Sequence, residues 1–175
     1  MTRSLALATL AAALVLPSAA RADWGIRAGL EAPVATHLND GNSYSIGDTF
    51  QPSIDLLVQY GPSDIIAFGL EGRIGFASTN GNYTRTGTAL GPELMLNIPV
   101  VPLYARVALP IRLEPDAAEL GLRLAAGLKI NFAFVGIYLE GVADMPFVGK
   151  DTSGNHEDAF SHQVISVGAG VEFRI

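Results

Sequence analysis

The fold class that the sequence predicts is all-β: an eight-stranded antiparallel up-and-down barrel that spans a membrane. Three observations lead to it. Eight segments alternate between apolar and polar residues, and no charge falls on the apolar parity of any of them. The polar parity of the same segments is crowded with ionisable and small residues together. The 175-residue chain opens on an export leader, and no later segment has the length and apolarity of a spanning helix. A mature protein held in a membrane must therefore cross it with strands.

The leader is the first element. In MTRSLALATLAAALVLPSAARA, Arg3 precedes an apolar stretch from Leu5 to Leu16, Pro17 interrupts it, and small residues close on Ala20-Arg21-Ala22. That is the form of a cleavable secretory signal, with the cut expected between Ala22 and Asp23. At about a dozen residues, the apolar stretch is short for a helix crossing roughly 30 Å of hydrocarbon. Residues 1–22 are read as a signal peptide and 23–175 as one barrel domain. Cleavage removes Arg3 and Arg21, leaving nine basic against seventeen acidic residues and a formal charge of −8. With that balance and no basic patch for a phosphate backbone, nucleic acid is not an expected partner. There is no cysteine, so neither a disulfide framework nor a thiolate nucleophile or ligand is available, and a lipidated N-terminal cysteine is excluded.

The strands follow in order. The first, residues 24–32, sets Trp24, Ile26, Ala28 and Leu30 against Arg27 and Glu31. The second, 51–60, sets Ile54, Leu56, Val58 and Tyr60 against Ser53, Asp55 and Gln59. The third, 65–77, sets Ile66, Phe68, Leu70, Ile74 and Phe76 against Glu71 and Arg73. The fourth, 88–98, sets Leu90, Leu94, Leu96 and Ile98 against Glu93 and Asn97. The fifth, 102–114, sets Leu103, Val107, Leu109, Ile111 and Leu113 against Tyr104, Arg106 and Arg112. The sixth, 119–129, sets Leu120, Leu122, Leu124 and Leu128 against Glu119, Arg123 and Lys129. The seventh contains GIYLEGVAD, where Ile137, Leu139, Gly141 and Ala143 oppose Tyr138, Glu140, Val142 and Asp144. The eighth, 162–175, sets Ile165, Val167, Val171, Phe173 and Ile175 against Ser166, Glu172 and Arg174. A helix is most tempting over residues 120–128, yet read at 100° per residue RLAAGLKI would bury a charge beside a leucine.

The connections are uneven. Residues 33–50, 78–87 and 146–161 are long polar links, and EPDAA at 114–118 is brief; tight turns are expected at 61–64, 99–102 and around Asn131. If successive strands reverse direction, the first four links share one rim. The three tight turns and both chain ends share the other.

Parity alone does not say which face is outside. In a soluble lipocalin-type barrel the apolar face lines a cavity; in an outer-membrane barrel it faces lipid. The polar parity carries sixteen ionisable residues, nine acids and seven bases: Arg27, Glu31, Asp55, Glu71, Arg73, Glu93, Arg106, Arg112, Glu114, Glu119, Arg123, Lys129, Glu140, Asp144, Glu172 and Arg174. A lumen accommodates that many because opposite charges find each other, whereas an unpaired one costs several kcal/mol. The same parity holds Gly29, Gly69, Gly91, Gly121, Gly127, Gly168 and Gly170, which leave room for long side chains in a narrow barrel. Strands of ten to fourteen residues are long enough to cross at a tilt of roughly 45°. Lipid outside and charge inside is therefore the expected orientation. Trp24, Tyr60 and Phe173 fall near the tight-turn rim, and Phe50, Phe76 and Met145 toward the other, as two interfacial girdles. Pro92 and Pro110 have no N–H to give a closed sheet, so bulges or a pairing gap are expected there.

On this pattern the chain resembles the small eight-stranded outer-membrane barrels of Gram-negative bacteria, among them the transmembrane domain of outer membrane protein A. The resemblance spans the mature chain and rests on alternation, without a diagnostic motif. It implies a location in the outer membrane, contact with outer-membrane lipids including lipopolysaccharide, a monomer, and recognition of the C-terminal strand by the barrel-insertion machinery. In such barrels the last residue is usually Phe; here VGAGVEFRI keeps the alternation, but Phe173 stands two residues before Ile175, a variant of the insertion signal.

Some barrels of this kind are enzymes that act on lipid A or phospholipid, and the lipid A deacylase type pairs a His and a Ser two residues apart. Here the nearest match is Ser161-His162 with Ser166, and His162 and Ser166 stand about 13 Å apart along an extended strand. His37, His156 and His162, with Glu157 or Asp158, are candidates to converge at the long-loop rim around a metal, although scattered polar-loop histidines are ordinarily just solvated. NDGNSYSIGD spaces Asp40, Asn42 and Asp48 like calcium ligands but lacks the fixed Gly and terminal Glu of an EF-hand. Asn82-Tyr83-Thr84 matches a glycosylation acceptor, which is uninformative in a bacterium. No catalytic, cofactor-binding or metal-binding residue is assigned, and no cofactor is expected. The expected function is structural, in envelope integrity or surface interaction, with a lumen closed by ion pairs. A lipid-modifying enzyme, a narrow passive channel and a secreted soluble lipid-binding barrel are the alternatives.

Overall fold

The computed structural model describes residues 23–38, 43–45, 52–79, 82–113, 118–150, 156–157, 160 and 162–175. Among them every regular element is a strand: β1 (Asp23–Leu38), β2 (Ser43–Ser45), β3 (Ser53–Gly61), β4 (Ile66–Thr79), β5 (Asn82–Asn97), β6 (Leu103–Ala108), β7 (Ile111–Leu113), β8 (Ala118–Phe132), β9 (Val135–Lys150), β10 (His156–Glu157) and β11 (His162–Arg174). β6 and β7 are two parts of one stave, and β2 and β10 are short additions paired to β1 and β9. Eight antiparallel staves remain, and the pairing of β1 with both β3 and β11 closes them into a barrel.

The register sets the barrel's girth. Following directly opposed residues from Trp24 leads through Tyr60, Phe68, Leu94, Val107, Leu124, Ala143 and Ile165. The circuit returns to β1 at Ala35, eleven residues further on; discounting the one extra residue at the Pro33/Ala35 bulge, the shear is ten. Eight strands at that shear tilt by about 40° and enclose a backbone cylinder of radius about 8 Å. Side chains reaching inward from opposite walls of so narrow a cylinder meet near its axis.

Alternation places the residues as the sequence predicts. Along β3 every second residue is buried, Ser53, Asp55, Leu57 and Gln59, while Ile54, Leu56, Val58 and Tyr60 are exposed. The outward residues elsewhere are equally apolar: Leu30, Phe68, Leu90, Leu124, Leu139 and Val167 all lie on the surface. The inward ones include Arg27, Glu71, Arg106, Arg123, Glu140 and Glu172. Ten residue steps from Ile66 to Phe76 rise about 25 Å along the axis at this tilt, the height of a lipid-facing belt.

Three tight connections and the start and end of the described barrel share one rim. They are 62–65, 98–102 and Ala133-Phe134, with Trp24 N and Ile175 O, 3.3 Å apart, beside them. Trp24 and Tyr60 sit opposite each other there with ring centroids 5.3 Å apart, and Phe173 is exposed nearby. At the other rim Phe147 meets Phe160 edge-on at 5.8 Å. Phe50 lies outside the described residues.

Two expectations change in detail. The links at 33–50, 78–87 and 146–161 are shorter than expected, because β1 continues through a bulge to Leu38, the β4–β5 ladder runs on to Thr79 opposite Asn82, and β9 runs on to Lys150. The prolines do interrupt pairing: Leu109 and Pro110 are unpaired against both β5 and β8, while Pro92 keeps its ladder on the β4 side. The β4–β5 ladder passes through Pro92 opposite Leu70, whereas pairing of β5 with the β6/β7 stave stops at Glu93↔Ala108 and resumes at Leu90↔Ile111. Leu109 N donates to Pro92 O at 3.1 Å and Gly121 N to Pro110 O at 2.8 Å, and neither proline has a hydrogen to return the bond. The register is unchanged across the gap. Gly91 permits the close approach: a Cβ there would lie 2.4 Å from Leu109 O.

Candidate functional site

The lumen is the one place where chemistry-bearing side chains are gathered in number among the described residues. Its charges fall into sectors. Asp55, Glu71 and Glu93 lie on the successive staves β3, β4 and β5; Arg106, Arg112, Arg123 and Lys129 on the β6/β7 stave and β8; Glu140, Asp144 and Glu172 on β9 and β11. The basic sector thus stands between two acidic ones. Arg73, Glu119 and Arg174 are exceptions within their sectors, and all three join the network.

Four arginines, Arg73, Arg106, Arg112 and Arg123, bridge sectors. Arg106 is bonded to Glu93 on one side and to Glu140 on the other, with its Nε 2.9 Å from Glu140 Oε2 and Glu71 at 3.7 Å. Arg123 is bonded to Glu31, reaches Asp144 at 2.7 Å and Glu71 at 3.0 Å, and approaches Asp55 at 3.8 Å; it is 1% exposed. Arg73 donates to Asp144 at 2.6 Å, and Arg112 joins Asp144 at 3.0 Å to Glu119 at 2.6 Å. Arg27 lies between two aromatic rings, 3.8 Å from the Tyr138 centroid and 5.0 Å from that of Tyr104, and contacts Glu140 at 3.2 Å and Glu172 at 3.9 Å. Glu172, fully buried, also holds Lys129 and Arg174 at 3.1 Å each. From Glu172 through Arg27, Glu140, Arg106, Glu71, Arg123, Asp144 and Arg112 to Glu119 the ion pairs form one connected chain.

The pairing differs from what strand adjacency suggests. Asp55 is directly opposite Arg73 in the β3–β4 ladder, yet Arg73 makes its short contact across the lumen with Asp144. Long inward side chains project to the axis, where opposite walls are as near as neighbours. Tyr104 and Tyr138 complete the set: Tyr104 Oη donates to Glu140 at 2.6 Å and accepts from Arg27 at 2.9 Å. Small residues make the space they fill. A Cβ on Gly29 would stand 2.0 Å from Tyr138 Oη, and one on Gly127 2.8 Å from Tyr104 Oη. Leu57, Ala67 and Met95 pack with the two tyrosines in an apolar cluster inside the lumen. Apolar residues on the polar parity were the available signal for that layer.

Other sequence candidates are dispersed. The β1–β11 ladder pairs His37 with Gln163, Leu38 with His162 and Pro33 with Ser166, and β10 pairs His156 with Lys150, so the register sets none of the three histidines opposite another. Asp40, Asn42, Asp48, Glu114, Asp158 and Ser161 lie outside the described residues. Among the described residues no group of three or more His, Asp or Glu has the arrangement of a metal site.

The sequence matches no protein-family profile and no curated protein. A solved structure shares the fold, and two further ones resemble it more weakly. Neisserial surface protein A is similar over 87% of this chain and 97% of its own, at 13% identity and a TM-score of 0.58. Ail, the attachment invasion locus protein of Yersinia pestis, solved with the heparin analogue sucrose octasulfate, matches over 89% and 99% at 10% identity and a TM-score of 0.49. OmpT of Vibrio cholerae matches over 87% of this chain and 52% of its own, at 13% identity and a TM-score of 0.33.

Proposed function

We propose that the chain is an exported outer-membrane barrel, cut between Ala22 and Asp23, whose role is structural or surface-interacting and whose lumen is plugged by its own ion pairs. The observation that carries this is the inverted polarity of the fold: leucines and phenylalanines cover the outside, while arginines and carboxylates are enclosed. In water that arrangement would expose a continuous apolar band; in a bilayer both faces meet their preferred surroundings. Both ends of the barrel then lie at the periplasmic rim, and the rim reached by Leu38, Thr79, Leu113 and Lys150 faces outward from the cell. Lipid, including lipopolysaccharide, surrounds the belt of a monomer, and the β11 segment ending VEFRI serves the insertion machinery.

The plugged lumen follows from girth and charge together. A cylinder of radius about 8 Å leaves space only for side chains or one small ligand, and here Arg73, Arg106 and Arg123 reach carboxylates on other staves. The protein extracted in detergent is expected to show heat-modifiable gel migration and, in planar bilayers, no stable solute-sized conductance. Recovery of folded protein in the aqueous fraction without surfactant overturns the membrane reading. Stable conductance overturns the plug, and turnover of labelled lipid A or phospholipid replaces the structural role with an enzymatic one.

A further inference from the structure

The three tight connections of the rim differ in chemistry. The turn between β3 and β4 is polar: it carries Asp64, and the Ser63 hydroxyl accepts from the backbone N–H groups of Ile65 and Ile66 at 3.3 and 3.2 Å. The tips at 98–103 and 130–137, which close the β5–β6 and β8–β9 hairpins, contain no ionisable residue. They are neighbours, because β6 pairs with β8 and Lys129 N donates to Pro102 O at 2.7 Å. Val100 is 82% exposed and Phe134 67%, and Ile98, Val101, Ile130 and Phe132 are exposed beside them. The 98–102 turn is also poor in backbone donors. Pro99 and Pro102 have no N–H, Ile98 N donates to Leu103 O at 3.0 Å, and Val101 N donates to Ile98 O at 3.3 Å. Four of its five residues thus leave no N–H for water to satisfy. On the outward parity both tips run on from the apolar belt: Leu103 stands opposite Leu128 and Ile130 opposite Ile137, and all four are exposed.

We propose that the tips at 98–103 and 130–137 form an apolar foot seated at the boundary between headgroups and acyl chains of the periplasmic leaflet, while the Ser63-Asp64 tip stands in water. This rests on the membrane reading of the barrel. Lipid is the occupant because the foot extends a surface that lipid already covers. A protein partner is held in register by polar groups around its contact, and these tips offer few; a bilayer asks for none. The belt is accordingly taller on this side. Along β8 the outward residues are apolar from Leu120 to Phe132, twelve steps that rise about 30 Å, whereas along β3 they run from Ile54 to Tyr60, six steps and about 15 Å. Seating one half of the rim in lipid and the other in water leans the barrel axis from the membrane normal, with the β8–β9 side the more deeply immersed.

The chain has no cysteine, so one introduced thiol carries a unique label. Val100→Cys, Phe134→Cys, Asp64→Cys and the mid-belt Leu124→Cys are each given a nitroxide and folded into phosphatidylcholine vesicles; Phe132→Cys replaces Phe134→Cys if that variant does not fold. Electron paramagnetic resonance then compares collisions with oxygen, which concentrates in hydrocarbon, and with a water-soluble nickel chelate present on both sides of the membrane. Nickel collisions are expected to be about fivefold rarer at positions 100 and 134 than at 64, with oxygen collisions rising toward those at 124. Nickel reaching 100 and 134 as freely as 64, while 124 stays shielded, overturns the foot and leaves the membrane reading intact. Nickel reaching 124 as well overturns the membrane reading, and the foot with it. Exclusion of both nickel and oxygen from 100 and 134 means that a protein surface, such as a second copy of the chain, covers the tips, and overturns lipid as the occupant.

Discussion

At the scale of single residues, the lumen makes Arg123 the hub. It contacts Glu31, Asp55, Glu71 and Asp144 from one guanidinium, and its planar fork suits several carboxylates where a lysine ammonium would act as a point charge. Removing it leaves four buried acids short of their shared partner. Arg123→Ala is therefore expected to lower stability by about 3–5 kcal/mol, read as a fall in the urea midpoint of the heat-modifiable gel band. Arg174, 36% exposed at the mouth and, among the described residues, ion-paired with Glu172 alone, serves as the control: Arg174→Ala is expected to cost about 1 kcal/mol or less. Equal losses for the two would show that the interior is wet enough to make burial irrelevant.

At the scale of elements, the stave formed by β6 and β7 is the exception in a wall of long, continuous strands. Pro92 and Pro110 withdraw one donor from each of its two seams, and Leu109 and Pro110 fall outside any regular ladder. Because the register is the same on both sides of the gap, the missing bond can be restored without moving the strands. Pro110→Ala would supply an N–H facing Gly121, whose own N–H already bonds Pro110 O. A gain of about 1 kcal/mol is expected, with slower hydrogen exchange at Ile111 and Gly121. A loss of stability would mean that the proline's fixed φ, and not the lost bond, dominates at this position.

At the scale of the whole molecule, the decisive property is which face meets lipid. Leu124 lies within the outer belt on β8, and Val100, 82% exposed, lies in the tight connection between β5 and β6. Arginine at the first is expected to cost about 2–4 kcal/mol of folding in bilayers and at the second about 0–1. Measured by reversible folding into lipid vesicles, similar costs at the two sites would place the belt elsewhere. A polar pocket at the tight-turn mouth of the lumen belongs to this scale as well, because it forms only where β1, β3, β4, β5, β8 and β11 come together.

Much of this architecture was legible in the chain because a strand has period two and a closed barrel has no edge. Ile54-Asp55-Leu56 needs no neighbour to show which side each residue takes, and eight such segments with short links permit few arrangements. Inward parity likewise marked Arg27, Arg106 and Glu140 as lumen residues, and Gly29 and Gly127 as the room that large side chains require. Strand ends were less legible. Asn80-Gly81 is a strong hairpin signal between alternating segments, but residues 78–87 are polar on both parities and read as a link.

What the sequence by itself determined is therefore the face of each residue, the number of staves and the polarity of the two surfaces. Only the tertiary structure decided who pairs with whom. Partners in the lumen depend on shear, which sets the height of each strand against the next and accumulates around the barrel into a ten-residue offset. No local pattern records that sum. It carries Arg73 past its ladder neighbour Asp55 to Asp144, and it brings Asp23 to the same mouth as Gln59, Asn97 and Glu172.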